Sequence, residues 1–164
     1  MRYYAGIGSR ETPPEILDLM RQIATKLSSN TLCGKHGELL GPYILRSGGA
    51  IGADSAFEDG SGGDCEIFKA HHATPAARYI AAEFHPAWDR LSEYVQNLHG
   101  RNAMILLGEH LDKPVEFVVC WTKDGKDTGG TGLGIRIAQA HGIKVINLFY
   151  PEWMKRMEKF INEV

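Results

Sequence analysis

Three glycine clusters in this chain sit beside side chains able to hold an anion. The first is Gly6-Ile7-Gly8-Ser9-Arg10. Glycine lets the backbone turn sharply and approach a ligand closely, while Ser9 adds a hydroxyl donor and Arg10 a guanidinium fork that matches phosphate or carboxylate. The plainer reading is a tight turn with a surface arginine. The second is Ser47-Gly48-Gly49-Ala50-Ile51-Gly52-Ala53-Asp54. It fits neither a dinucleotide fingerprint nor a P-loop, which needs a lysine followed by serine or threonine, so ATP hydrolysis of the P-loop kind is disfavoured. Asp54 and Glu58 are four residues apart and would share one helix face. Such a pair suits a ribose diol, a cation or acid–base work; the alternative is that Asp54 caps the helix and Glu58 is solvated. The third cluster, Gly129-Gly130-Thr131-Gly132, opens a helix, where unpaired N–H groups and the dipole favour a phosphate.

Other residue types invite functional readings. Arg101 could clamp a phosphate through two nitrogens while Asn102 fixes a loop or a base edge, or the two could simply end a helix favourably. Trp88, Tyr94, Trp121 and Trp153 read as packing residues; Trp121, at a strand end beside a glycine loop, is the one that could instead stack on a base or ribose. Lys123, Asp124, Lys126 and Asp127 look like a polar lip. Cys33, His36, Cys65, His71 and His72 contain no established zinc spacing, so the expectation is no metal and no cofactor.

These residues need elements to position them. An apolar run at Tyr3 to Ile7 predicts a strand, and Pro13-Pro14 followed by Ile16, Leu17, Met20, Ile23, Ala24 and Leu27 predicts a helix. The pattern repeats: strand at Tyr43 to Arg46, small-residue helix through Phe57 and Glu58, strand at Cys65 to Lys69. Trp88, Leu91, Tyr94, Val95 and Leu98 recur at helical spacing, and Met104 to Leu107 reads either as a strand or as more helix. Val115 to Trp121 has the near-continuous apolarity of a strand covered on both faces. A helix from the third glycine cluster to Gly142, a strand at Lys144 to Phe149 and a helix after Pro151 complete the chain. Alternating strands and helices imply a parallel sheet with right-handed crossovers. All three glycine clusters then fall at strand carboxyl ends, where open sheets bind ligands.

Composition bounds the rest. The 164 residues suit one domain, 1–164. With 18 basic against 20 acidic residues and a net charge of −2, no global field holds a long polyanion. The opening Met-Arg-Tyr-Tyr-Ala-Gly reads straight into a strand without an apolar leader, and three cysteines without Cys-x-x-Cys spacing agree with a reducing compartment. The expectation is a cytoplasmic protein with no membrane partner.

With Gly-Ser-Arg at Gly8 to Arg10, Ser-Gly-Gly-Ala-Ile-Gly-Ala-Asp at Ser47 to Asp54, Arg101-Asn102, and Gly-Gly-Thr-Gly-Leu at Gly129 to Leu133, the chain resembles the SLOG superfamily. It looks most like the core of the DNA-processing protein DprA and the YspA or YpsA-related members. The resemblance implies a Rossmann-like α/β fold, an open, mainly parallel sheet flanked by helices on both faces. It also implies a homo-oligomer and a nucleotide-derived small molecule as partner, its phosphate held by Ser9, Arg10, Arg101 and the Gly129 to Gly132 backbone. The distantly similar LOG phosphoribohydrolases hydrolyse the N-glycosidic bond of nucleoside monophosphates with an arginine, matched here by Arg101, and a glutamate. Where that glutamate is expected the chain has Leu133-Gly134-Ile135-Arg136, so the catalytic acid would come from Glu58 or Asp54. Other readings the resemblance supports are a non-catalytic sensor or sponge of a nucleotide signal and a DprA-like binder of single-stranded DNA.

Overall fold

The structure is a computed structural model and describes residues 1–127 and 129–163. Its elements in chain order are β1 (Arg2–Gly6), α1 (Pro14–Leu27), β2 (Tyr43–Ser47), α2 (Ala53–Ser61), β3 (Cys65–Ile67), α3 (Pro75–Ala82), α4 (Glu93–Leu107), β4 (Phe117–Cys120), α5 (Gly129–Ala140), β5 (Lys144–Asn147) and α6 (Pro151–Asn162). The five strands form one sheet in the order β3-β2-β1-β4-β5, with every pairing parallel. It is a Rossmann-like open sheet. Its edges are short, three residues in β3 and four in β5.

Alternation along the central strands makes two cores from one sheet. Ala5, Val118 and Cys120 face α3, α4 and α5, among Ala77, Met104, Leu106, Leu133 and Ile137. Tyr4 and Val119 face the opposite layer, among Met20, Ile23, Ala56 and Phe57 of α1 and α2, with α6 adding Trp153 and Met157. Val118, Val119 and Cys120 are all fully buried, which is why the sequence there shows no polar alternation.

Met104 to Leu107, which the sequence leaves open between strand and helix, is the last turn of α4. Two local expectations need correction. Trp88 lies in a separate short 3-10 turn, Trp88–Arg90, because α4 starts later, where the Ser92 hydroxyl accepts the Val95 N–H at 3.2 Å and ends the earlier periodicity. The strands expected at Cys65 to Lys69, Val115 to Trp121 and Lys144 to Phe149 pair over shorter spans; their flanking residues hydrogen-bond as loops, as Phe68 does to Ser47 at 2.9 Å. Among the described residues no helix is long and apolar enough to cross a membrane.

β1 has β2 on one side and β4 on the other, so the connections leaving the adjacent carboxyl ends of β1 and β4 run in opposite directions, to β2 and to β5, and open a crevice there. The rim on the β4 side is fixed by Asn147. Its buried side chain accepts the Thr122 and Phe149 N–H groups at 3.3 and 3.1 Å and donates to the Thr122 hydroxyl at 2.8 Å. Asn147→Ala would leave Thr122 buried without those partners and is expected to cost about 2–3 kcal/mol. Urea unfolding checks this, and an unchanged midpoint would remove Asn147 from that role.

Candidate functional site

Beyond β1 the chain stays beside β4: Ile7 donates to Val119 at 3.1 Å and Ser9 to Trp121 at 3.4 Å. The Ser9 hydroxyl accepts the Glu11 N–H at 3.0 Å, and the Thr12 hydroxyl donates to the Ser9 carbonyl at 2.5 Å. This turn leaves the Arg10 side chain exposed at the rim. Gly8 is required by close approach, since a Cβ there would stand 2.5 Å from the Ala53 Cβ at the start of α2.

The second glycine loop is tied down from several sides. Buried Ser47 donates to the Gly6 carbonyl at 2.6 Å, and Lys69 reaches the Gly49 carbonyl at 3.3 Å. Arg101 Nη1 donates to the Gly48 carbonyl at 2.9 Å and to Phe68 at 3.0 Å. Its Nε goes to Asn102 Oδ1 at 2.9 Å, and Asn102 in turn reaches the Gly130 carbonyl at 3.4 Å. A Cβ at Gly48 would lie 2.5 Å from Arg101 Nη1 and 2.8 Å from Asp54 Oδ2. Only glycine leaves both groups room.

These segments surround a cleft of about 670 Å³, a size typical of small-molecule sites. Of the residues singled out in the sequence, Gly8, Ser9, Arg10, Asp54, Arg101, Asn102, Gly129, Gly130 and Thr131 line it. Lys123 and Asp124 form its lip, where Lys123 pairs with Glu11 at 3.6 Å. The others stand elsewhere. Ser47, Gly48 and Gly49 support the wall through the contacts above. Gly132 is buried against the Asp127 backbone. Trp121 packs its ring against the α1, α2 and α6 core and offers the first glycine loop its backbone carbonyl. Glu58 is solvent-exposed and not part of the cleft, because α2 turns its Asp54 side inward and the next turn outward. Lys126 and Asp127 line a separate depression of about 320 Å³ beside Tyr150 and Trp153.

Asp54 is the unusual group. Its side chain is buried, residue exposure 5%, and burial pushes its pKa up to about 6. The Ala50 N–H at 3.3 Å, the Gly48 N–H and the Arg101 charge pull the other way without prevailing. Burial also lowers the pKa of Arg101, against the opposing charge of Asp54. A closed ion pair would favour both charged forms; here Arg101 spends Nη1 on carbonyls instead. A buried carboxyl poised near 6, beside a guanidinium and open to a cleft, can take and return a proton near neutral pH.

The sequence reading passed over the opposite wall. Val95, Leu98 and His99 of α4 line the cleft, and with Asn102 they repeat at i, i+3, i+4 and i+7, a stripe visible in the sequence. Val95 and Leu98, which the sequence marks only by their helical spacing, are half-buried. His99 is buried, its Nδ1 without a hydrogen-bond partner, and burial lowers its pKa. Cys33 is exposed and Cys120 buried; among the described residues no group of three or more metal-ligating side chains converges.

Comparison of the chain with protein-family models, curated proteins and solved structures finds no match.

Asp54 links the cleft to stability. Its pKa is higher folded, about 6, than its ordinary value of 3.8, so the folded state binds the proton more tightly. The stabilisation is complete below about pH 4 and disappears as pH rises through 6, roughly 2–3 kcal/mol in all. Asp54→Asn should lack this slope, gaining on the native chain between pH 4 and 7. Urea midpoints against pH for both proteins check it; parallel curves would contradict the burial argument.

Proposed function

We propose that the cleft binds a nucleoside 5′-monophosphate or a related nucleotide, and that the chain hydrolyses its N-glycosidic bond with Asp54 as the acid–base group. The observation that carries the proposal is Asp54 itself: a carboxyl with a pKa of about 6 in a cleft whose other walls carry Arg10, Arg101 and the start of α5. The phosphate is assigned to Arg10 and the N–H groups of Gly129, Gly130 and Thr131, where the dipole of a twelve-residue helix favours an anion. Ser9 donates from the first loop. Arg101 contributes positive field but acts chiefly through the loops it holds.

In the reaction, a water oxygen bonds to C1′ of the sugar while the C1′–N bond breaks and its electrons leave with the base. Asp54, ionised, takes one proton from the water and gives it up again to the departing base, directly or through solvent, so that the carboxylate is regenerated. The products are ribose 5-phosphate and free base. The developing positive charge on the sugar is stabilised by the nearby carboxylate. Asp54 replaces Glu58 in this scheme because Glu58 is exposed outside the cleft.

The test is incubation with AMP, GMP, CMP, UMP and NAD-derived or cyclic nucleotides, with chromatography of released base. Base release is expected to fall below about pH 6, and Asp54→Asn is expected to lose at least about 100-fold in turnover while binding within a few-fold of the native chain. Binding of intact ligand without turnover would favour a sensor or sponge, and steeply salt-dependent binding of oligonucleotides alone would favour single-stranded DNA. Arg10→Ala should weaken phosphate-ligand binding about tenfold with an unchanged melting temperature; unchanged affinity in calorimetry would sink the phosphate assignment.

A further inference from the structure

The α4 wall has a chemistry the phosphate end does not use. In each β-α-β unit the helix runs back against its strands, so the first turns of α4 stand above the carboxyl edge of the sheet and face the crevice. There Val95 and Leu98 present apolar surface, and His99 stands beside them. The His99 ring is packed near His85 and Trp88, with centroids at 5.4 and 6.2 Å, and its Nδ1 is sealed without a partner. In a neutral imidazole one nitrogen carries the proton, and an N–H buried without an acceptor is the costlier arrangement. The proton therefore belongs on Nε2, making His99 a donor to the cleft.

We propose that this wall is the base subsite and that it takes a purine, with Val95 and Leu98 packed against the rings and His99 Nε2 donating to N7. The proposal rests on the nucleotide reading above. It sets aside the alternative of Trp121 stacking on the base, because the Trp121 ring packs against the opposite core. N7 is an acceptor on the five-membered ring of adenine and guanine, and pyrimidines have no counterpart at that position. A hydrogen bond to N7 also draws electron density from the glycosidic nitrogen, so one contact serves both recognition and departure of the base.

Calorimetric titration with AMP, 7-deaza-AMP, CMP and ribose 5-phosphate tests it, run below about pH 6, where the proposed turnover falls away. On the native chain 7-deaza-AMP and CMP are expected to bind about tenfold more weakly than AMP, the effect of one lost hydrogen bond to a site that cannot replace it. His99→Phe keeps a ring for the His85 and Trp88 contacts; it should bind AMP about tenfold more weakly, show no further loss with 7-deaza-AMP and hold ribose 5-phosphate unchanged. Equal binding of AMP and 7-deaza-AMP by the native chain would overturn the N7 contact even if His99→Phe did not fold. Equal binding of AMP and CMP would overturn the purine assignment. Ribose 5-phosphate binding as tightly as AMP would overturn the base subsite and leave the phosphate site standing; failure of all four ligands would remove both.

Discussion

The cleft depends on one guanidinium. Arg101 connects the loops after β2 and β3 through the carbonyls of Gly48 and Phe68, and through Asn102 it reaches the first turn of α5. Each of those carbonyls faces a region where backbone partners run out, at the end of a strand or the start of a helix. Arginine meets them because its planar fork presents several donors in fixed directions, so that less freedom is lost for each hydrogen bond formed. A lysine at this position would supply a point charge and satisfy fewer acceptors. The glycine at position 48 follows from the same contact, since a side chain there would collide with Nη1.

Asp54 shows the cost of this arrangement. Two backbone donors and one guanidinium are close enough to favour the carboxylate, yet desolvation outweighs them. The group is left partly protonated near neutral pH instead of being neutralised by an ion pair. Structural carboxylates on this chain are handled differently: Glu66 is half exposed and pairs with buried Arg46 at 2.8 Å, side-chain exposures 44% and 3%. That bridge keeps one partner in water. The contrast marks Asp54 as a place where desolvation is not offset by a closed ion pair.

Much of the fold was legible because its signals were local. The apolar continuity at Val118 to Cys120, the proline-led amphipathic stretch of α1 and the glycines at strand ends each state a period or a turn that does not depend on distant partners. The site was less legible where the third dimension decides. Four-residue spacing puts Asp54 and Glu58 on one side of α2 but does not say how far along the helix the buried zone extends, and it ends before Glu58. The stripe of Val95, Leu98 and His99 has the spacing of a core face, and only the protrusion of α4 above the sheet turns it into a cleft wall. Trp121 ends a core strand beside a glycine loop, yet alternation sends its ring away from that loop. Arg136, at the place where the resemblance would put a catalytic glutamate, donates to the Phe84 carbonyl at 3.1 Å and holds α5 to the end of α3.

The shortness of β3 and β5 bears on how copies of the chain meet. An exposed strand edge is a template, and one that is long and apolar invites another chain to extend the sheet. Here a newcomer would find three or four residues to pair with, and on the β5 side it would meet Lys144, whose ammonium lies 5.1 Å from the Trp153 ring. Strand-by-strand polymerisation therefore gains little at either border of the sheet, which lowers the hazard of fibrous or amorphous precipitation when the protein is made in quantity.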